Sequence, residues 1–578
     1  MSAQDRYLAW LENPRIAEST KEELRAIADD PTEITDRFYQ DLQFGTAGLR
    51  GILGAGTNRM NYYTVARAAE AYAQTLAETS GSKERGIAIS FDSRNYSPEF
   101  AELSARIFLK HGFKVYLFER LHPVPLLSFA IRRRNCAGGI MITASHNPRE
   151  YNGFKVYSED GSQLEPDAAE RVAAKMYSMT DFPALLLDLP ELTESENLIY
   201  LGEDLDSEYN TYLQGLIINK EAIKRQADLE IVYTPLYGTG YHPVCRALRS
   251  LGFKNISVVE EQAEPDGNFP TAPYPNPEVR EALALGIELA EERGADLLLA
   301  TDPDADRLGL AVRNNEGEFK ILSGNQIGIL LMDYILSAKA KFNRDNRQHF
   351  CVASVVSSRL PRLITANYGV KLYECLTGFK YVAEKIRDGL AAGECFDFGF
   401  EESFGYLIGD DVRDKDAVTA AAVVCEMAAV AAEEGQTLYE RCEDLFAKYL
   451  YSAEKTVAFS REGKEGLLAI QNTVNTVRAE KEKLFSELHP VSIEDYQSKE
   501  VYYCGSEKVE PLDVNESNLM IYNLGQLDWF ATRPSGTEPK LKVYMGAYRD
   551  DPEEAAAALA EIERVVVTEI ENILNQGA

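Results

Sequence analysis

Hydrophobic positions fall into two rhythms along most of the chain. Short apolar runs occur at 85–92, 114–118, 139–142, 229–233, 296–300, 308–312 and 350–355. Amphipathic, helix-like stretches separate them, and Ser97-Pro98 marks one helix start. Strand signals alternating with helical ones predict sheets covered by helices. The last region breaks this rhythm. Strands are expected near 453–459, 501–504, 518–522 and 541–547, with helices at 464–483 and 552–573, an α+β pattern. Residues 1–40 are charged and helix-prone, with Thr20-Lys21-Glu22-Glu23 as a helix start. The alanine-rich stretch 417–432, interrupted by Glu426, reads as a packed helix. Polar or short segments near 193–206, 315–324 and 449–455 read as linkers.

Composition changes this picture in three ways. A chain of 578 residues with 45% hydrophobic content supports several cores. A net charge of −32 argues against nucleic acid and anionic membrane as partners, and requires a locally basic cleft for any anionic substrate. The first ten residues lack an apolar segment of the secretory type. No run is long enough to span a bilayer without charge. Eight cysteines without Cys-x-x-Cys spacing fit reduced thiols, so a cytoplasmic location is expected.

Four segments carry candidate chemistry. Thr143-Ala144-Ser145-His146-Asn147-Pro148 follows an apolar run, which places a serine hydroxyl at the lip of a sheet. Such a serine can carry a covalent group, although the segment also reads as an ordinary strand-to-loop junction. His146, as the immediate neighbour, is expected to be badly placed to deprotonate it. Thr301-Asp302-Pro303-Asp304-Ala305-Asp306-Arg307 lies between two strands. Its alternate carboxylates would repel one another unless a hard cation such as Mg²⁺ joined them; a solvated acidic turn is the competing reading. Glycine is missing at the sixth loop position and glutamate at the twelfth, which excludes an EF-hand. Phe400-Glu401-Glu402-Ser403-Phe404-Gly405 offers a carboxylate and a hydroxyl suited to sugar hydroxyls, or is an exposed acidic loop. Thr532-Arg533-Pro534-Ser535-Gly536-Thr537 joins a planar guanidinium to a nest of donors that suits phosphate, or is a plain Pro/Gly turn. Gly238-Thr239-Gly240 lacks the third glycine of a dinucleotide site, and Ser145 lacks the hydrolase elbow.

Together, and in this order, the four segments resemble those of phosphohexomutases of the phosphoglucomutase/phosphomannomutase superfamily. Phe44-Gly45-Thr46-Ala47-Gly48-Leu49-Arg50-Gly51 and Leu376-Thr377-Gly378-Phe379-Lys380 resemble two further loops of that family. The first of these is similar to the branch that includes phosphopentomutases. Phe400 departs from the family's usual glycine, and Glu-Glu-Ser-Phe-Gly favours glucose over mannose phosphate by analogy.

The resemblance implies an α/β fold with four domains around a central cleft: three similar mixed domains at 1–205, 206–320 and 321–450, and an α+β domain at 451–578. It implies a phosphoserine at Ser145, with Arg50, His146 and Lys155 beside it and the proton acceptor open between Lys155 and His146. Mg²⁺ would be bound by Asp302, Asp304, Asp306 and the phosphorylated Ser145. Arg307, Thr377, Gly378, Lys380, Glu401 and Ser403 would bind the sugar, and Arg533, Ser535, Gly536 and Thr537 its phosphate. The implied reaction interconverts glucose 1-phosphate and glucose 6-phosphate, with glucose 1,6-bisphosphate as intermediate and activator. Pentose or mannose phosphates, synthesis of the bisphosphate, and non-catalytic sensing of sugar phosphates are the alternatives.

Overall fold

The computed structural model describes residues 1–45, 48–342, 346–461, 463–525, 527–535 and 540–576. Four sheets follow one another along the chain. The first contains β1 (Leu49–Ile52), β2 (Ile87–Phe91), β3 (Val115–Phe118), β4 (Gly138–Ile142), β5 (Tyr151–Tyr157) and β6 (Leu198–Leu201), in the order β1-β5-β4-β2-β3-β6. The second contains β7 (Glu230–Thr234), β8 (Asn255–Val258), β9 (Leu297–Thr301), β10 (Leu308–Arg313) and β11 (Phe319–Ile321), in the order β11-β10-β9-β7-β8. The third contains β12 (His349–Ser354), β13 (Lys371–Cys375), β14 (Cys395–Glu401) and β15 (Gly405–Ile408), in the order β13-β12-β14-β15.

These three sheets share a device that no sequence repeat announces. In each, a buried strand runs parallel to one neighbour and then turns into an antiparallel hairpin: β4 into β5, β9 into β10, β14 into β15. The three hairpin loops hold Ser145, the aspartate trio and Ser403. Strands paired on both sides and covered on both faces need continuous apolar sequence, and every residue of β4 and β9 is buried.

The fourth sheet is antiparallel throughout. It contains β16 (Tyr451–Ser460), β17 (Ser492–Asp495), β18 (Glu500–Tyr503), β19 (Val509–Pro511), β20 (Met520–Asn523), β21 (Trp529–Pro534) and β22 (Lys540–Arg549), with order β16-β22-β21-β20-β17-β18-β19. The expected strands and the two helices (Gly463–Leu484 and Pro552–Gln576) are present. β17, β19 and β21 are additions that their short, mixed sequences did not announce.

The helix expected from Thr20 begins at Glu18, because Ala17 already has the extended backbone of a cap. The polar segment at 193–206 contains edge strand β6 and the start of helix Glu203–Leu216, which runs across the expected boundary at 205/206. An exposed edge strand and an amphipathic helix end have the composition of a linker, so polarity alone does not separate them. β11 likewise occupies the short segment expected to link at 315–324.

Helix Ala417–Glu433 packs against β10 of the second sheet and β15 of the third. All but three of its residues are buried. Glu426, fully buried, accepts backbone N–H bonds from Ile218 (2.9 Å) and Asn219. Tyr209 donates to Asp416 at 2.7 Å at the other end. Both N–H groups go to one oxygen of Glu426; Oε2 is buried without a partner, and burial raises this carboxyl's pKa. Among the described residues, no helix is long and apolar enough to cross a membrane.

Candidate active site

Ser145 terminates the turn after β4 in the left-handed region, at φ +53°. That conformation is costly for a non-glycine residue and points to an over-determined site. The surroundings supply the constraint. Thr143 Oγ1 accepts from the Ser145 N–H at 2.8 Å and donates to Asp92 Oδ2 at 2.6 Å. Arg94 is buried and donates to the carbonyl oxygens of Ser145 (2.5 Å), Asn147, Pro148 (2.8 Å) and Tyr151 (3.1 Å). One guanidinium thus ties the whole loop. A Cβ on Gly153 would lie 2.4 Å from the Thr143 carbonyl oxygen, so only glycine lets β5 approach this turn.

The Ser145 hydroxyl donates to Asp302 Oδ2 at 2.6 Å and lies 3.2 Å from His146 Nδ1. The left-handed turn brings the His146 ring onto its neighbour's hydroxyl, contrary to the expectation of poor geometry. Burial, and then Arg307, Arg50 and other cations, push His146 well below its ordinary pKa, so the ring is neutral. Arg50 is exposed and donates to Asn147 Oδ1 at 2.9 Å, at the edge of the same loop.

Asp302, Asp304 and Asp306 converge with one oxygen each within 4.8 Å of one another. All three are buried. Asp302 Oδ1 accepts the N–H groups of Asp306 and Arg307, both at 3.1 Å. Lys155 Nζ lies 2.7 Å from Asp304 Oδ2 and 3.4 Å from Asp306 Oδ2. Burial works against its charge, but Asp304 and Asp306 outweigh it and raise the Lys155 pKa. Asp302 is pushed far above the carboxylate range, by burial first and then by Asp304 and Asp306. Asp304 Oδ1 and Asp306 Oδ1 are buried without a hydrogen-bond partner. Orphaned hard oxygens beside a carboxylate that resists ionising are the donor set of a Mg²⁺-type cation. Arg307 turns away to Glu278, at 2.6 Å.

Lys415, which sequence reasoning passed over, joins this centre to the loop of Glu401 and Ser403. Its Nζ lies 3.1 Å from Asp306 Oδ2 and 2.9 Å from Asp414 Oδ1, and Glu401 also raises its pKa. The clue was the charged run Arg413-Asp414-Lys415-Asp416 set directly before an apolar helix. Glu401 closes β14 and accepts the Gly378 N–H at 2.5 Å. Burial, then Glu402, raise its pKa to about 7. Ser403 donates to Glu402 Oε1 at 3.2 Å, and Thr377 Oγ1 is buried without a partner. The Phe400 ring packs onto Gly328 of helix Gly324–Phe342, where a Cβ would lie 2.3 Å from it.

Arg533, at the end of β21, lies close enough to Lys380 to depress its pKa to about 8, burial being the larger cause. Ser535 donates its N–H to the Lys540 carbonyl at 2.8 Å. Gly536 and Thr537, and Thr46 and Ala47 of the N-terminal loop, lie outside the described residues. A cavity of about 210 Å³ separates Glu402 and Ser403 from Lys542 and Tyr544 on the fourth sheet. Pairwise contacts link the loops: Ser145 to Asp302, Asp306 to Lys415, and the charges of Lys415 and Arg533 to Glu401; the cavity itself is lined by Glu402, Ser403 and the fourth sheet, with Glu278, the partner of Arg307, at its side.

Three family models match successive parts of the chain. They describe α/β/α domains I, II and III of phosphoglucomutase/phosphomannomutase and cover residues 41–181, 207–317 and 323–449. A phosphoglucomutase of Staphylococcus haemolyticus is 36% identical over 519 residues, 90% of this chain and 92% of its own length. The open form of parafusin, a phosphoglucomutase of Paramecium, superposes with a TM-score of 0.68 at 17% identity, covering 93% of this chain and 96% of that one. An N-acetylphosphoglucosamine mutase of Aspergillus fumigatus, solved with GlcNAc-6P and magnesium, gives a TM-score of 0.50 at 14% identity, covering 98% and 99%.

Proposed function

The chain belongs to the phosphoglucomutase/phosphomannomutase family of α-D-phosphohexomutases, enzymes that transfer a phosphoryl group, and from this premise we propose that it interconverts glucose 1-phosphate and glucose 6-phosphate through a phosphoserine at Ser145. One observation carries the reading: the Ser145 hydroxyl lies 2.6 Å from Asp302 at the meeting point of equivalent hairpin loops. The named relatives support glucose as the sugar.

The aspartate trio and the phosphorylated Ser145 would hold Mg²⁺, which when bound supplies a Lewis acid for charge on the transferred group. The Aspergillus relative's complex with magnesium and a sugar phosphate supports that assignment. Arg533, Lys380 and the 535–537 segment would hold the substrate's existing phosphate. The free hydroxyl of the sugar would attack phosphorus as the bond to Ser145 Oγ breaks. Its proton would pass by way of neutral His146, 3.2 Å from Ser145 Oγ, to that departing oxygen, since Lys155 is held charged between Asp304 and Asp306. The bisphosphate would then turn over, and its other phosphoryl group would return to Ser145. Glu401 and Ser403 would grip ring hydroxyls in both orientations. Enclosure between the third and fourth sheets would keep water from the phosphoryl group.

A coupled isomerisation assay tests the substrate. With Mg²⁺ and a trace of glucose 1,6-bisphosphate, kcat/KM should be highest for glucose 1-phosphate; a higher value for mannose or ribose 1-phosphate would replace it. Arg533→Ala should raise KM at least about tenfold, the worth of one charged hydrogen bond to phosphate. An unchanged KM removes Arg533 from the anchor.

Glu401→Gln gives a second test, with a pH signature. Folding raises this carboxyl from 4.5 to about 7. The folded state therefore holds the proton more tightly, and stability is lost as pH rises between those values. Glutamine does not titrate, so the variant should gain on the parent across that window, by about 3 kcal/mol at pH 8. Its KM for the sugar phosphate should rise all the same. A difference in melting temperature that stays flat from pH 4 to 8 would show that Glu401 is not strained.

A further inference from the structure

A second cavity, of about 370 Å³, lies where the first two sheets meet, and none of the four hairpin loops contributes a residue to it. It is framed by segments that follow the carboxyl ends of β3, β6 and β7. Carboxyl ends of parallel strands are where open α/β sheets bind ligands, and here strands of two sheets face one hollow.

Its charge runs against that of the chain. Arg120, Arg246, Arg249 and two histidines line it, against Glu203 and Asp206. Asp206 is already engaged by His122 Nε2 at 2.9 Å and by Arg120. Glu203 pairs with Arg246 from a side chain that is 61% exposed, and a solvated pair of that kind is easily given up. Arg249 makes no side-chain hydrogen bond or ion pair among the described residues. Two guanidinium groups are thus available, one free and one weakly held, beside an imidazole. Planar forks of this kind match a phosphate group, and the volume suits a small metabolite.

The cavity's walls also carry the metal loop. Val124 donates its N–H to the Asp304 carbonyl at 3.0 Å, directly after the lining residues His122 and Pro123. Thr239 donates its N–H and its hydroxyl to the Pro303 carbonyl, at 2.8 and 3.0 Å. A ligand that shifts either wall moves the backbone from which Asp302, Asp304 and Asp306 project.

We propose that this cavity is a regulatory site for a small phosphate-bearing anion, anchored by Arg246 and Arg249 and coupled to the aspartate loop through Val124 and Thr239. The binding half stands without the mutase reading; the regulatory half rests on it. The test uses the full chain and pyrophosphate as the probe. Binding is measured in the Arg533→Ala background, so that the candidate catalytic phosphate anchor does not contribute. That protein should retain one pyrophosphate site. Adding Arg246→Ala and Arg249→Ala should weaken binding at least about tenfold. Equal affinity in both proteins overturns the site. Arg249→Glu alone, at an exposed position, should act in the same direction should the double replacement unfold. For regulation, kcat is measured at saturating substrate and fixed free Mg²⁺, where competition at the catalytic site vanishes. Pyrophosphate should change the parent's kcat and leave that of Arg246→Ala/Arg249→Ala unchanged. A parent kcat that does not respond overturns the coupling.

Discussion

Replacing Ser145 by alanine is expected to lower kcat by about 10⁴-fold or more, the scale on which loss of a covalent nucleophile falls in other enzymes. The residue is not a packing element, since its hydroxyl is its only polar side-chain atom and that atom faces Asp302 and His146. Alanine keeps the turn's backbone, and the Thr143 and Arg94 bonds to it involve main-chain atoms. The fold should therefore survive with a loss of about 1 kcal/mol from the missing donor to Asp302. Intact mass spectrometry should find one phosphoryl group on the parent and none on the variant. Parent-level turnover by Ser145→Ala would end the phosphoserine reading, whatever the fate of the sugar-binding loops.

The second large effect has opposite signs in activity and stability. Asp302→Asn keeps the size and the acceptor that receives the Asp306 and Arg307 N–H groups. It removes the titrating group of a buried trio in which that carboxyl already resists ionisation, so the folded variant no longer has to take up a proton there. With a chelator present, the variant should be more stable than the parent at neutral pH. The gap should close as pH falls toward the ordinary carboxylate range, because the parent's folded state takes up its proton there without cost. With Mg²⁺ the order should reverse, since only the parent gains from the bound ion. Turnover should fall roughly 10²–10⁴-fold, the several kcal/mol that a positioned cation contributes. A variant less stable than the parent in chelator would mean that the trio is content without a cation, and the metal assignment would lose its physical basis.

Much of this was legible in the chain because it is local. Apolar runs announced β2, β4, β7, β9 and β10, since strands buried on both faces cannot be anything but apolar. The serine, aspartate, glutamate and arginine motifs stand out in the chain for the same reason: each is a few adjacent residues whose functional groups suit one task. Exposed elements were not. Strand β6 and the first turn of helix Glu203–Leu216 looked like a linker, and β19, exposed at every position, left no pattern.

The chain carries, locally, the chemistry each loop can offer and the alternation of strand and helix that presents it. Which groups come together is set by folding, because that depends on burial and on contacts that no local pattern encodes. Lys415 reads as one more surface lysine until its chain is threaded between Asp306, Asp414 and Gly405. Arg94 has no assignable partner in the sequence, and in the fold four carbonyls of the serine loop close on it. His146 looked misplaced until a left-handed turn at Ser145 set its ring against the hydroxyl. In each case the residue type is fixed by the chain, while its protonation and its partner are fixed by the low-dielectric pocket that distant strands build around it.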